Sequence, residues 1–197
     1  MILELPDREF GGYIFDCDGT LVDSMPLHYR AWTASFVHHG APWQWSEDEF
    51  YASAGIPDRD IVGKLNADYG VDLDADSIHE HKAEWFMEHL HELTAVEAVA
   101  QIVRDFHAKS QPISVATGSD LVIVEPELKH VGLWDYFGII VTPAHVENGK
   151  PAPDMFLLAA EKMGVPAEDC LVFEDGNSGL QAAAAAGMEA VFVPSRG

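Results

Sequence analysis

The sequence predicts an α/β fold, with a parallel sheet between layers of helices and a small all-helical module inserted after the first strand. Three observations predict it. Short apolar runs recur at 12–15, 113–116, 139–141, 171–173 and 190–193, each of a length suited to a buried strand. Helical patterns separate the later runs, and strands alternating with helices mean βα units and a parallel sheet. Between residues 26 and 93 this rhythm stops, and no clear buried strand occurs.

The elements can be justified in order. Gly12-Tyr13-Ile14-Phe15 is an apolar run that stops at Asp16, so it reads as a strand ending in a loop. Helical segments follow at 27–39, 46–54, 59–65 and 77–91. Ser46 and Glu49 have the spacing of a capping box. We assign 26–93 to a helical cap and 1–25 with 94–197 to the core. The core resumes near Ala95, where Val96, Val99, Ile102, Val103 and Phe106 share one helical face. Strand 113–116, helix 122–130, strand 139–141, helix 154–163, strand 171–173, helix 180–186 and strand 190–193 complete it. The expected architecture is a Rossmann-like three-layer core plus the helical cap.

Bulk properties narrow the function. A chain of 197 residues suits one domain with a small insert, and 48% hydrophobic residues exclude disorder. With 33 acids against 11 bases the net charge is −22, which argues against nucleic acid and anionic membranes, since both demand basic patches. An anionic substrate would then need local positive charge from a metal, a lysine or helix N-termini. Cys17 and Cys170 are the only cysteines, which gives no disulfide framework and no zinc knuckle. The acidic N-terminus is not a signal peptide, and no stretch approaches the roughly 20 apolar residues of a membrane span. A cytoplasmic monomer is expected, with no further domain after the last strand.

Four signals could carry chemistry, and each falls at or just beyond a predicted strand end. In Phe15-Asp16-Cys17-Asp18-Gly19-Thr20 a strand ends on two acids one residue apart, where parallel sheets bind ligands. One carboxylate could attack and the other could handle protons. An Asx-turn would also favour Asp and Gly there. In Ala116-Thr117-Gly118-Ser119 a hydroxyl and free N–H groups could hold a phosphoryl oxygen. Lys150 is pinned by Pro151 and Pro153, and Asp154 is expected to cap the next helix. It is not a Walker A lysine, because the loop lacks that spacing. In Phe173-Glu174-Asp175-Gly176 another strand ends on two acids. If that strand neighbours the first, the carboxylates repel, at roughly 4 kcal/mol per pair at about 4 Å and an effective dielectric near 20. A hard cation such as Mg2+ would relieve the repulsion.

On these residues the chain resembles the haloacid dehalogenase superfamily, in its branch with a helical cap between the first and second motifs. DCDGT is similar to the first motif, Thr117 to the second, Lys150 to the third and Glu174-Asp175 to the fourth, in the same order over nearly the whole chain. The resemblance implies that Asp16 forms an aspartyl-phosphate and that Asp18 is the general acid/base. It implies phosphoryl binding by Thr117, Gly118 and Lys150, and Mg2+ binding by Asp16, Asp18, Glu174 and Asp175. A dehalogenase is not implied, since that branch lacks the acid that Asp18 supplies.

Within the family, DSMPLHYRAW and KPAPDMFLLAAEKMGV are similar to the beta-phosphoglucomutase and fructose-1-phosphatase-like group. His28 and Lys82 match cap positions that in the mutase couple substrate binding to cap closure. By alignment on Gly55, the mutase arginine that binds a distal phosphate is replaced by Asp58, with Arg59 one step on. An acid there would repel a second phosphate. The expected function is therefore a Mg2+-dependent phosphatase of a small sugar phosphate. The alternatives are a sugar phosphomutase and a non-catalytic binding protein on the same fold.

Other features are read as structural. His79 with His81 and His89 with His91 lie two apart, which puts them on different helix faces, so solvated histidines are expected. Trp32, Trp43, Trp45 and Trp85 suit packing. Asp72, Asp74 and Asp76 read as a solvated acidic loop, and Cys17 as a buried, inert thiol.

Overall fold

A computed structural model describes residues 3–53, 56 and 58–194. Ala54, the predicted end of one helix, and Gly55, the anchor of the Asp58 alignment, lie outside the described residues. In chain order the elements are β1 (Gly12–Phe15), α1 (Met25–His38), α2 (Glu47–Ala52), α3 (Asp58–Tyr69), α4 (Ala75–Glu88), α5 (Glu97–Ala108), β2 (Ile113–Ala116), α6 (Leu121–His130), β3 (Ile140–Val141), α7 (Asp154–Met163), β4 (Cys170–Glu174), α8 (Asn177–Ala185) and β5 (Glu189–Phe192). They fall into two compact units, Met1–Ser24 with Leu93–Gly197, and Met25–Glu92.

The first unit is a five-stranded sheet in the order β3-β2-β1-β4-β5, parallel throughout. Every residue of β1, β2 and β4 is buried, as parallel strands covered on both faces should be. On one face Ile14, Ala116, Val141 and Val172 pack with Met155 and Phe156 of α7 and Ala182 and Ala183 of α8. On the other, Tyr13 stacks on Phe106 of α5 at 3.7 Å. The three layers follow from this alternation. The chain steps outward from β1 to β2 and β3, then returns to lay β4 on the other side of β1. That reversal puts the topological switch point at the carboxyl ends of β1 and β4, where open α/β sheets bind ligands.

The second unit is helical, with α4 packed against both α1 and α3. Its core holds Trp32, Phe36, Trp43, Trp45, Phe50, Ile61, Val62 and Ile78. Both halves of the Ser46–Glu49 capping box are formed at α2. No helix among the described residues is long and apolar enough to cross a membrane.

Several local expectations need correction. Asp72, Asp74 and Asp76 are exposed, as expected, but the run is not all loop. Asp74 is the N-cap of α4, accepting from the N–H groups of Asp76 and Ser77, and Asp76 pairs with Arg59 at 2.8 Å. Asp154 does not cap α7. Pro153 holds the N-cap position, and Asp154 begins the helix while accepting from Asn148 Nδ2 at 3.0 Å. The α3 helix runs on to Tyr69, since Asn66 brackets Leu73 through both its amide groups and holds the helix end closed. His79 and His91 are exposed, as expected, and His81 and His89 are half-buried. His79 Nδ1 lies 2.8 Å from Asp58 Oδ2, His89 Nδ1 lies 2.8 Å from Trp85 O, and the His81 ring sits 4.0 Å from that of His38. The His89 contact is an i,i+4 contact at the end of α4, whereas packing of α4 against α3 and α1 makes those of His79 and His81, which spacing along one helix cannot reveal.

Candidate active site

The register of β1 on β4 pairs Phe15 with Phe173, so the acids that follow each strand emerge side by side. Asp16 continues the ladder by donating its N–H to Phe173 O at 3.0 Å. This fixes its backbone, and its side chain is only 8% exposed. Lys150, from the loop before α7, enters between the two acids. Its Nζ lies 2.6 Å from Asp16 Oδ1 and 2.8 Å from Glu174 Oε1. The lysine side chain is 7% exposed, so this is a buried ion-pair bridge. Glu174 is held at its other oxygen by the Gly176 N–H at 2.7 Å. A Cβ on Gly179 would lie 1.6 Å from Glu174 Oε1, so only glycine lets α8 approach this carboxylate.

Asp18 is fixed from two sides. Ser24 Oγ donates to its Oδ1 at 2.6 Å, and Ser119 Oγ donates to its Oδ2 at 2.5 Å. Ser119 in turn donates its N–H to Thr117 Oγ1 at 3.1 Å. Thr117 is fully buried and anchors its own N–H on Val141 O, whereas Gly118 is exposed. The Thr117-Gly118-Ser119 turn is thereby tied to Asp18. Cys17 is buried, with its thiol 3.7 Å from Glu127 Oε2. Burial, and then the Glu127 carboxylate, push that thiol well above the ordinary cysteine range, as an inert residue requires.

The electrostatics are strained in one direction. Burial pushes the Asp16 carboxyl well up, Lys150 pulls it down, and Glu174, Asp175 and Asp18 push it up again. Lys150 is held above its usual range, because Asp16 and Glu174 outweigh its burial. The 2.6 Å contact holds Asp16 and Lys150 as an ion pair, and the upward push on Asp16, from burial first and then from three neighbouring acids, is the unfavourable charge that a cation would relieve. Asp16, Glu174 and Asp175 each offer an oxygen within 4.8 Å of the others. An all-oxygen donor set with surplus negative charge fits a hard divalent cation.

Four residues of this site escaped sequence reasoning as site residues: Ser24, Ser119, Glu127 and Gly179. Glu127 is a buried acid on α6, and burial followed by the charge of nearby Asp18 pushes its carboxyl well up. An acid among the apolar residues Val124 and Leu128 was its one visible signal. The two cap candidates lie in the helical unit. His28 stacks on Phe86 at 4.2 Å. Lys82 pairs with Asp58 at 2.8 Å and lies 4.6 Å over the Trp32 ring.

Comparison with known proteins places this arrangement. Residues 10–187 match the family model described as haloacid dehalogenase-like hydrolase. The fructose-1-phosphate phosphatase YqaB of Escherichia coli is 39% identical over 186 residues, covering 94% of this chain and 97% of that protein. A phosphorylated carbohydrates phosphatase of Thermotoga maritima is 31% identical over 183 residues, covering 91% and 82%. Among solved structures, CbbY of Rhodobacter sphaeroides in complex with xylulose-1,5-bisphosphate superimposes with a TM-score of 0.83 at 25% identity, covering 92% of this chain and 84% of that one. With a family match across most of its length and relatives of this identity, the chain belongs to the haloacid dehalogenase-like hydrolases.

Proposed function

We propose that the protein is a Mg2+-dependent phosphatase that hydrolyses a small sugar monophosphate through an aspartyl-phosphate on Asp16, with the helical unit acting as a cap over the substrate. The observation that carries this reading is the Lys150 bridge between Asp16 and Glu174, with Asp18 held by two serines beside it. A nucleophile, a charge-neutralising cation and a second, oriented acid are the parts that phosphoryl transfer asks for.

Asp16 attacks phosphorus with a carboxylate oxygen, and the bond to the sugar oxygen breaks. Asp18 gives the departing alcohol its proton. Asp18 then takes a proton from water as that water attacks the phosphorus of the aspartyl-phosphate, releasing phosphate and restoring Asp16. Thr117 and the Gly118 N–H hold the phosphoryl oxygens, and Lys150 offsets their charge. Mg2+ on Asp16, Asp175 and the Asp18 main chain, with Glu174 alongside, would supply further charge neutralisation.

Two things support a sugar monophosphate. The named relatives act on phosphorylated sugars, by their descriptions. Lys82 is already paired with Asp58 inside the helical unit, so it offers no free charge for a second phosphate. The test is phosphate release from fructose 1-phosphate, 6-phosphogluconate and beta-glucose 1-phosphate with Mg2+, for the native chain and Asp16→Asn. Release that needs both the metal and Asp16 is expected. Conversion of beta-glucose 1-phosphate to glucose 6-phosphate, with no release from any compound, would make it a mutase instead.

A further inference from the structure

Three histidines of the helical unit converge although nothing in the phosphatase reading uses them. His38 ends α1, His39 follows it, and His81 lies on α4, which packs along α1. Their ring centroids are 5.1 Å (His38–His39), 4.0 Å (His38–His81) and 5.7 Å (His39–His81) apart. Each ring brings one nitrogen to within 4.8 Å of the nitrogens offered by the other two. We infer that His38, His39 and His81 form a binding site for a borderline transition-metal ion such as Zn2+.

The local fold makes the site. Gly40, at a φ of 69°, closes α1 by donating its N–H to Val37 O, while Ala41 donates to Phe36 O. This is a Schellman motif, and it fixes the chain path at the two adjacent histidines. The carbonyl end of α1 also favours a cation. His39 Nε2 and His81 Nδ1 are shielded from solvent and have no hydrogen-bond partner. Such buried polar atoms are normally paired, and a metal would satisfy them. Glu84 and Glu88 lie close enough to His81 to attract positive charge. Three imidazoles suit Zn2+, Co2+ or Ni2+ and not Mg2+, and they leave a fourth position for water. A bound ion would clip the end of α1 to α4. It would stabilise the helical unit whatever the outcome for the phosphatase reading.

The experiment is a Zn2+ titration of the purified full chain in saturating Mg2+, followed by calorimetry, with Co2+ absorption as the second readout. Native protein, His38→Gln, His81→Gln and Asp16→Asn are compared. His38 is exposed, so its substitution leaves the fold in place. Expected are one Zn2+ per chain in the native protein and in Asp16→Asn, at least tenfold weaker binding in both histidine variants, and a visible Co2+ band lost with His38. No Zn2+ bound in saturating Mg2+, or equal affinity in the native chain and His38→Gln, would overturn the proposal.

Discussion

Ser119 shows how much a single hydroxyl can decide. It donates to Asp18 Oδ2 while its own N–H holds Thr117 Oγ1, so it ties the proposed acid/base to the proposed phosphate loop. Ser119→Ala removes one charge-assisted hydrogen bond and leaves the ladder around Thr117 intact. Such a bond is worth about 1.5 kcal/mol or somewhat more, so kcat should fall roughly tenfold. KM should stay near the native value and the pH profile of kcat should shift, because the residue orients Asp18 and does not touch the leaving group. An unchanged kcat and profile would remove Ser119 from the site. This residue also marks the limit of the sequence. Asp16, Asp18, Thr117, Lys150 and Glu174 were legible because each stands at a strand end or in a turn-rich loop, where α/β sheets place chemistry. Ser24, Glu127 and Gly179 were not, because their roles exist only across long-range contacts. A serine in a loop and a glycine in a helix look the same whether or not a carboxylate lies against them.

At the level of elements, the parallel sheet was readable from the short apolar runs, and the helical insert from their interruption. Helix ends were less so. The α8 helix starts at Asn177, three residues before its predicted beginning, and α4 stops at Glu88, three before its predicted end, because Gly176 begins α8 without a side-chain cap and His89 closes α4 through its backbone N–H, and neither bears an apolar period. The junction of α3 and α4 carries a testable consequence of this kind. Asp58 at the start of α3 accepts from His79 and Lys82, both on α4. Burial works against its ionisation, but the His79 bond and the Lys82 charge prevail and hold its pKa at about 2. An unfolded aspartate titrates near 3.9. The folded value is depressed, so the contribution is fully present above about pH 4 and is lost as pH falls through about 2. It is worth about 2 kcal/mol at neutral pH. Asp58→Asn should therefore lower unfolding stability by about 1–2 kcal/mol at pH 6, and the gap from the native chain should narrow steadily below pH 4. A gap that does not change with pH would mean that packing, not charge, holds α3 to α4.

Across the whole molecule the dominant quantity is the charge of −22. The proposed substrate is itself an anion, so the long-range field opposes its approach, and the attraction of the site must act at close range. Within the site, Lys150 is already bridged to Asp16 and Glu174, which leaves little positive potential to reach outward. The screening length is about 30 Å at 0.01 M salt and about 8 Å at 0.15 M. Low salt thus exposes an incoming sugar phosphate to the repulsion of the whole surface, while moderate salt confines it to the nearest groups. Most phosphate-binding proteins attract their ligand through basic surfaces, and salt weakens that attraction. Here the sign is reversed. With Mg2+ held saturating, kcat/KM for the best sugar phosphate should rise several-fold as NaCl goes from about 0.01 M to about 0.15 M, with kcat nearly constant because the buried site is poorly screened. Measuring initial rates at low substrate across that series decides the matter. A kcat/KM that falls with salt would mean that a local positive field reaches the entrance and outweighs the net charge.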